Sequence, residues 1–175
     1  MSTPNENIDK AMNIEFNHEI TCEININPTG DAEYASLGNA FKNIAMAMNE
    51  TVYSAYYLAD GGYGTDLVTA IKPTITQTGD YIKNDPACQY LNKAKWKTGA
   101  GRVTDIKLTR SGESISVPVT LTSIQTAGGD TNNPNSITVA MTFIGKPTVT
   151  EMLVPSDTNT NTSSGDSSTQ EEETE

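Results

Sequence analysis

Apolar and polar residues alternate one for one along several stretches of this chain, a period that selects β-strands over helices. The longest run is 14–27. Ile14, Phe16, Ile20, Cys22, Ile24 and Ile26 share one face; Glu15, Asn17, Glu19, Thr21, Glu23 and Asn25 share the other. Alternation of that length predicts a strand with one buried and one wet face. His18 falls on the apolar register of this run. The pattern returns at 102–110 with Ile106 and Leu108 inward, at 114–124 through Ile115, Val117, Val119 and Leu121, and at 137–144 through Val139, Met141 and Phe143. Residues 148–154 predict a last short strand.

Residues 52–96 read as strand, glycine turn, long strand, turn and one short helix. Tyr53, Tyr56 and Tyr57 are strand formers. Asp60, Gly61, Gly62, Tyr63 and Gly64 then supply the positive φ of a tight reversal. In the following strand Leu67, Thr69, Ile71 and Ile75 fall on one face, and Thr74, Thr76 and Thr78 on the other. Pro73 lies inside that run and cannot donate to a ladder, which predicts an edge position or a bulge there. Gly79-Asp80 ends the strand. Asp85 is placed to cap a helix whose first residue is Pro86. Ala87, Tyr90, Leu91, Ala94 and Lys95 make one stripe along that helix, which spans about 85–96.

The connections are less regular. Residues 32–37 suit a single helical turn, with Gly38 arguing against more. Residues 41–50 have high helix propensity, yet Ile44, Met46 and Met48 alternate, and the surrounding pattern favours strand. Residues 125–136 form a loop of about a dozen residues, long for a hairpin. The sum is seven or eight strands and one helix: a mainly β (α+β) fold of two antiparallel sheets, packed as a sandwich or open barrel, with one flanking helix. Domain limits follow: a polar, loose arm at 1–13, a β domain at 14–155, and a Ser/Thr/Asn/acid-rich tail at 156–175 whose composition predicts disorder.

Charge narrows the partners. The formal net charge is −11, and six acids in 156–175 with no base account for −6 of it, leaving −5 for the rest. There is no basic face to grip nucleic-acid phosphates. No basic, then apolar leader opens the chain and no apolar run approaches the roughly 20 residues of a membrane span. The expectation is a cytoplasmically made protein without membrane contact, with Cys22 and Cys88 reduced and buried.

No catalytic constellation emerges. A lone histidine builds neither a metal site nor a triad, so His18 reads as a hydrogen-bonded core or interface residue. Asp60, Asp66, Asp80 and Asp85 each sit where a turn or cap wants an aspartate. Their spacing does not match a calcium loop. Gly61-Gly62-Tyr63-Gly64 lacks the Lys-Ser/Thr of a phosphate loop. Residues 90–97 interleave Tyr90 and Trp96 with Lys93, Lys95 and Lys97, which suits a helix with a wet lysine face better than a base-stacking platform.

The order of elements carries a resemblance. An amphipathic first strand, an aromatic strand into Asp60-Gly61-Gly62, a Thr-rich strand ending at Gly79-Asp80, and Asn84-Asp85-Pro86-Ala87 opening one helix resemble the tail tube (major tail) proteins of long, non-contractile-tailed bacteriophages, over 14–151. The resemblance implies a non-enzymatic structural protein of the virion tail without cofactor or metal. It implies six-membered rings that stack into a hollow tube through which DNA passes without specific binding. The implied partners are copies of the chain itself and the tape measure, tail tip or baseplate, and tail terminator proteins. Some relatives carry an extra C-terminal domain, for which this chain has only the acidic tail.

The residues agree with that implication. Long alternating strands leave edges that pair with copies of themselves, a closed ring satisfies them, and an acidic wall lets a polyanion slide. The subunit contacts are expected at two loops: Gln125, Thr126, Gly128, Gly129, Asp130 and Asn133, and the turn of Asp60, Gly61, Gly62 and Tyr63. The 114–124 and 137–144 strands are the expected lumen lining. The competing readings are a carbohydrate-binding or adhesin sandwich using Tyr53, Tyr56, Tyr57 and Tyr63, and another tail component such as a terminator or baseplate hub.

Overall fold

The structure, a computed structural model, describes residues 14–151. The strands are Thr21–Asn25 (β1), Tyr34–Ser36 (β2), Phe41–Ala47 (β3), Glu50–Tyr56 (β4), Gly64–Ile71 (β5), Thr74–Asp80 (β6), Val103–Arg110 (β7), Glu113–Gln125 (β8), Ser136–Phe143 (β9) and Thr148–Glu151 (β10). One α-helix, Pro86–Ala94 (α1), lies between β6 and β7. The expected mainly β fold with two antiparallel sheets and one helix is present, but the sheets are unequal. Eight strands form one sheet in the order β2-β1-β7-β8-β9-β6-β3, with β10 also pairing β8, and β4–β5 stand apart as a two-stranded sheet.

One face of the large sheet is the core. Ile106 and Leu108 of β7, Ile115, Val117, Val119 and Leu121 of β8, and Ile137, Val139, Met141 and Phe143 of β9 are all buried, as their alternation requires. The sheet folds over on itself. Gln77 on β6 and Cys22 on β1 line one cavity, with β7, β8 and β9 between them in strand order. Residues 37–41 strap the two limbs: Leu37 N–H donates to Cys22 O (2.8 Å), and Asp80 N–H donates to Ala40 O (2.9 Å). The sheet does not close into a barrel.

Helix α1 begins as its sequence dictates. Asp85 Oδ1 accepts from Cys88 N–H at 2.9 Å, and Pro86 occupies the first turn. Ala87, Cys88, Tyr90, Leu91 and Ala94 are buried against β2 and β8. Arg102 closes the other end, donating from Nη2 to Lys95 O (2.6 Å) and from Nε to Lys97 O (2.7 Å). A cation there meets the negative end of the helix dipole.

Several expectations need correction. The first strand starts at Thr21, not Ile14. Asn17–Glu19 form a 3-10 turn in which the Glu19 carboxylate accepts the Phe16 N–H at 2.9 Å. That local turn outcompetes the alternation, and Ile14 and Phe16 are 55% and 53% exposed. Residues 34–36 pair with β1 as a strand rather than forming a helical turn. Residues 41–47 are strand, as favoured. The long strand through Pro73 is two strands in two sheets, split at Lys72-Pro73. Ile71 therefore does not share a buried face with Ile75: the first is 53% exposed, the second fully buried. The last strand runs 148–151, and the arm at 1–13 and the tail at 156–175 lie outside the described residues.

Candidate assembly surface

The β4–β5 hairpin is the most unusual part of the molecule. Its register pairs Val52 with Val68, Tyr53 with Leu67, Ser54 with Asp66 and Tyr56 with Gly64. Successive pairs point to opposite faces, so Val52–Val68 lie on one face and Tyr53–Leu67 on the other. Neither face is covered. Every residue of β5 is exposed, and so is all of β4 except half-buried Ala55. Of the 17 exposed large apolar side chains among the described residues, nine lie between Val52 and Ile71. An isolated two-stranded ribbon is marginal in water, and apolar area spread over both faces marks a binding surface.

The hairpin is gripped at its base. Asn49 adopts φ 48°, and its side-chain amide donates to Lys72 O (3.0 Å) and to Thr74 Oγ1 (3.1 Å). Lys72 N–H donates to Met48 O at 3.0 Å. Pro73 is buried between the sheets. An apolar groove of about 660 Å³ opens beside this base, walled by Met46, Met48, Ile71, Pro73, Phe143 and Val149. At the far end Gly61 and Gly62 take positive φ (60° and 92°), as the turn requires. Tyr63 N–H donates to Asp60 O at 3.1 Å, and Tyr63 is 82% exposed. Asp60, Gly61, Gly62 and Tyr63 thus form an uncovered tip.

The second expected contact loop is folded down. Thr126 is buried; its hydroxyl accepts from Lys95 Nζ (2.7 Å) and donates to Asn92 Oδ1 (3.1 Å), both at the end of α1. Gln125 Nε2 donates to Ala127 O, and Ser136 N–H donates to Gly128 O. Gly129 takes φ 108°, and Asn133 N–H donates to Asp130 O. Asp130 and Asn133 are exposed. The two candidate sets are not brought together. Thr74 pairs with Thr142 at the hairpin end of β6, and Asp80 pairs with Ser136 at the loop end. Six residues of strand, about 20 Å, separate those ends.

His18, Asp66, Asp80 and Asp85 have structural partners. His18 is exposed on its 3-10 turn and stacks on Phe16 (5.5 Å between ring centroids), so it is not on a buried strand face. Asp66 accepts from Ser54 Oγ at 2.6 Å, Asp80 pairs with Lys42, and Asp85 caps α1. Cys22 and Cys88 are free and buried, and burial pushes the Cys22 thiol up to about 12. Among the described residues no group of His, Cys, Asp and Glu has metal-holding geometry, and no helix is long and apolar enough to cross a membrane. Sequence reasoning singled out the hairpin turn but missed Asn49 and the apolar groove. An Asn just before a second strand run was the available signal.

No protein-family model and no curated protein sequence matches the chain. Solved structures do. A chain from the tail of an empty gene transfer agent (GTA) particle, refined helically with C6 symmetry, superposes with a TM-score of 0.63 at 18% identity, covering 78% of this chain and 99% of that one. A chain from the virion of the native GTA particle gives 0.62 at 16%, again covering 78% and 99%. A chain from the PVC sheath-tube complex, an extracellular contractile injection system in its extended state, gives 0.51 at 10%, covering 86% and 100%. The chain therefore shares its fold with chains of these GTA and injection-system assemblies. The likeness extends to a contractile system, so it does not single out long non-contractile tails.

Proposed function

We propose that this chain is a structural subunit of a phage-like tail tube, assembling with copies of itself into stacked rings around a central bore. The observation that carries the reading is the β4–β5 hairpin, apolar and uncovered on both faces, on a fold shared with chains of GTA and injection-system tails. A hairpin that seats in the groove by Met46, Met48 and Phe143 of the next copy makes a head-to-tail contact. Head-to-tail contacts close into a ring when the rotation allows; the C6 symmetry of the GTA tail supports six members. The exposed tip at Asp130 and Asn133, at the opposite end of the sheet, then faces the adjacent ring. DNA traverses the bore without specific binding, favoured by a net charge of −11. Tape measure, tail tip or baseplate, and tail terminator proteins are the expected further partners in a virion tail.

The tyrosines give weak support to a glycan platform, because Tyr53 and Tyr56 stand three apart on β4 and face opposite ways. Negative-stain microscopy of the purified chain at rising concentration, with and without seeding, tests the reading. Tubes or rings are expected from the natural sequence, and separate subunits from Tyr56→Ser/Leu58→Ser with unchanged circular dichroism. Isolated globules at every concentration, or normal tubes from the variant, reject it.

A further inference from the structure

We propose that the groove alongside α1 is the docking site of the chain's own acidic C-terminal segment. The groove is about 650 Å³, walled by Ile26, Pro28, Gln89, Tyr90, Lys93 and Lys97, and no acidic residue lines it. It lies in the one concentrated basic stretch of an acidic protein. Four of the 11 basic residues (Lys93, Lys95, Lys97 and Arg102) fall within ten positions, and residues 86–104 contain no acid.

Two of those four charges are already engaged. Arg102 donates to the Lys95 and Lys97 carbonyls just past α1, and Lys95 donates to Thr126 while lying 5.2 Å from the Trp96 ring centre. Lys93 and Lys97 are exposed at the groove. The ion pairs formed among the described residues are Lys42–Asp80 and Arg110–Glu15, so neither groove lysine meets a described carboxylate. The complementary charge is in the same chain: Asp166, Glu171, Glu172, Glu173 and Glu175, with no base in 156–175.

The connection is long enough. Glu151 pairs with Glu113, which pairs with Arg110 at one end of β7; Val103, in the groove wall, is at the other. That strand length is about 23 Å. The fifteen residues from Glu151 to Asp166 span up to about 50 Å. A segment tethered at that range meets the groove at an effective concentration near the millimolar scale, ahead of any free polyanion. The docked segment covers the exposed lysines and keeps nucleic acid off them.

The test uses the full chain, dilute enough to be monomeric, and a protease that cuts after glutamate. At about 20 mM NaCl, cleavage at 171–173 is expected at least roughly fivefold slower in the natural sequence than in Lys93→Glu/Lys97→Glu. At about 0.5 M NaCl, where the Debye length falls to a few ångströms, the difference should vanish. The salt response of the natural sequence is a readout that needs no variant. Equal rates in both proteins at low salt, or a natural-sequence rate indifferent to salt, overturns the proposal. So does protection that appears only on concentrating the protein, which places the segment on a neighbouring copy. Tube formation is not part of the readout.

Discussion

Gly79 backs directly onto the carbonyl of Ala40: a Cβ built at Gly79 would stand 2.0 Å from that oxygen and 2.5 Å from Phe41 Cα. The contact is backbone against backbone, beside the irregularity where β3 slips register between Phe41 and Asn43. A side chain cannot turn away to relieve it. Gly79→Ala must therefore push β3 off β6 or break the strap that ties Asp80 N–H to Ala40 O. Overpacking of this kind costs roughly 1–3 kcal/mol. The measurement is urea unfolding, with the midpoint expected to fall. Gly61→Ala, where nothing lies within 4 Å, is the comparison and loses less despite its positive φ.

Asn49 fixes the angle at which the hairpin leaves the sheet. Two variants separate its side chain from its backbone. Asn49→Gly keeps φ 48° accessible but loses both hydrogen bonds, each worth about 1 kcal/mol. Asn49→Ala loses them and adds a left-handed penalty of roughly 1–2 kcal/mol. The expected order of stability is natural sequence, Gly, Ala. Amide exchange in 50–71 should quicken in both variants more than exchange in β8. Equal exchange across the molecule would show that Asn49 does not act locally on the hairpin.

Glu15 provides a pH readout. Its carboxylate accepts from Ser111 N–H (3.2 Å) and Ser111 Oγ (3.0 Å) and pairs with Arg110 Nη2 at 3.0 Å. These hold it below the usual 4.5, the Ser111 backbone bond contributing most. A depressed folded value means the contact stabilises above about pH 4.5 and is lost as pH falls through the folded value. Carbon-detected NMR titration should place Glu15 below 4.5. Arg110→Ala should raise it only part of the way back, since both Ser111 bonds remain. Full return to 4.5 in that variant would reverse the ranking of causes.

How much of this was legible in the sequence depended on what competed with the periodicity. Strands β7, β8 and β9 were read correctly because their alternation and their burial have one cause: each sits mid-sheet over the core. The Asp85-Pro86 start of α1 was legible because capping is local chemistry. The hairpin misled for a physical reason. Leu67 and Ile71 alternate like core residues, but apolar alternation marks a face that will be covered, not what covers it. Pro73 was the only sign that the run changes sheets. Strand β2, three residues held by pairing with β1, was too short to show a period at all. Of the candidate contacts, the Asp60–Tyr63 tip stands uncovered, whereas Thr126 is buried against Asn92 and Lys95, a neighbourhood that only the fold creates.

Thiols and phenols held neutral by burial predict an alkaline limit to the fold. Burial raises Cys22 from 9.0 to about 12, with Gln77 opposing the shift and Glu23 adding to it. Burial likewise raises Cys88, Tyr34 and Tyr90, and the Tyr90 hydroxyl is buried without a hydrogen-bond partner. A raised folded value means the neutral form is favoured in the fold. The stabilisation is complete below the unfolded value and is lost as pH rises toward the folded one. For Cys22 that window runs from 9.0 to about 12. Urea midpoints should hold up to about pH 9 and decline above it, and Cys22→Ala should flatten the first part of the decline while lowering the plateau, since it also leaves a small cavity. At pH 8 a thiol reagent should label neither cysteine of the folded chain within the time that labels both in urea. Rapid labelling of Cys22 in the folded state would mean that the two limbs of the sheet part where Gln77 meets it.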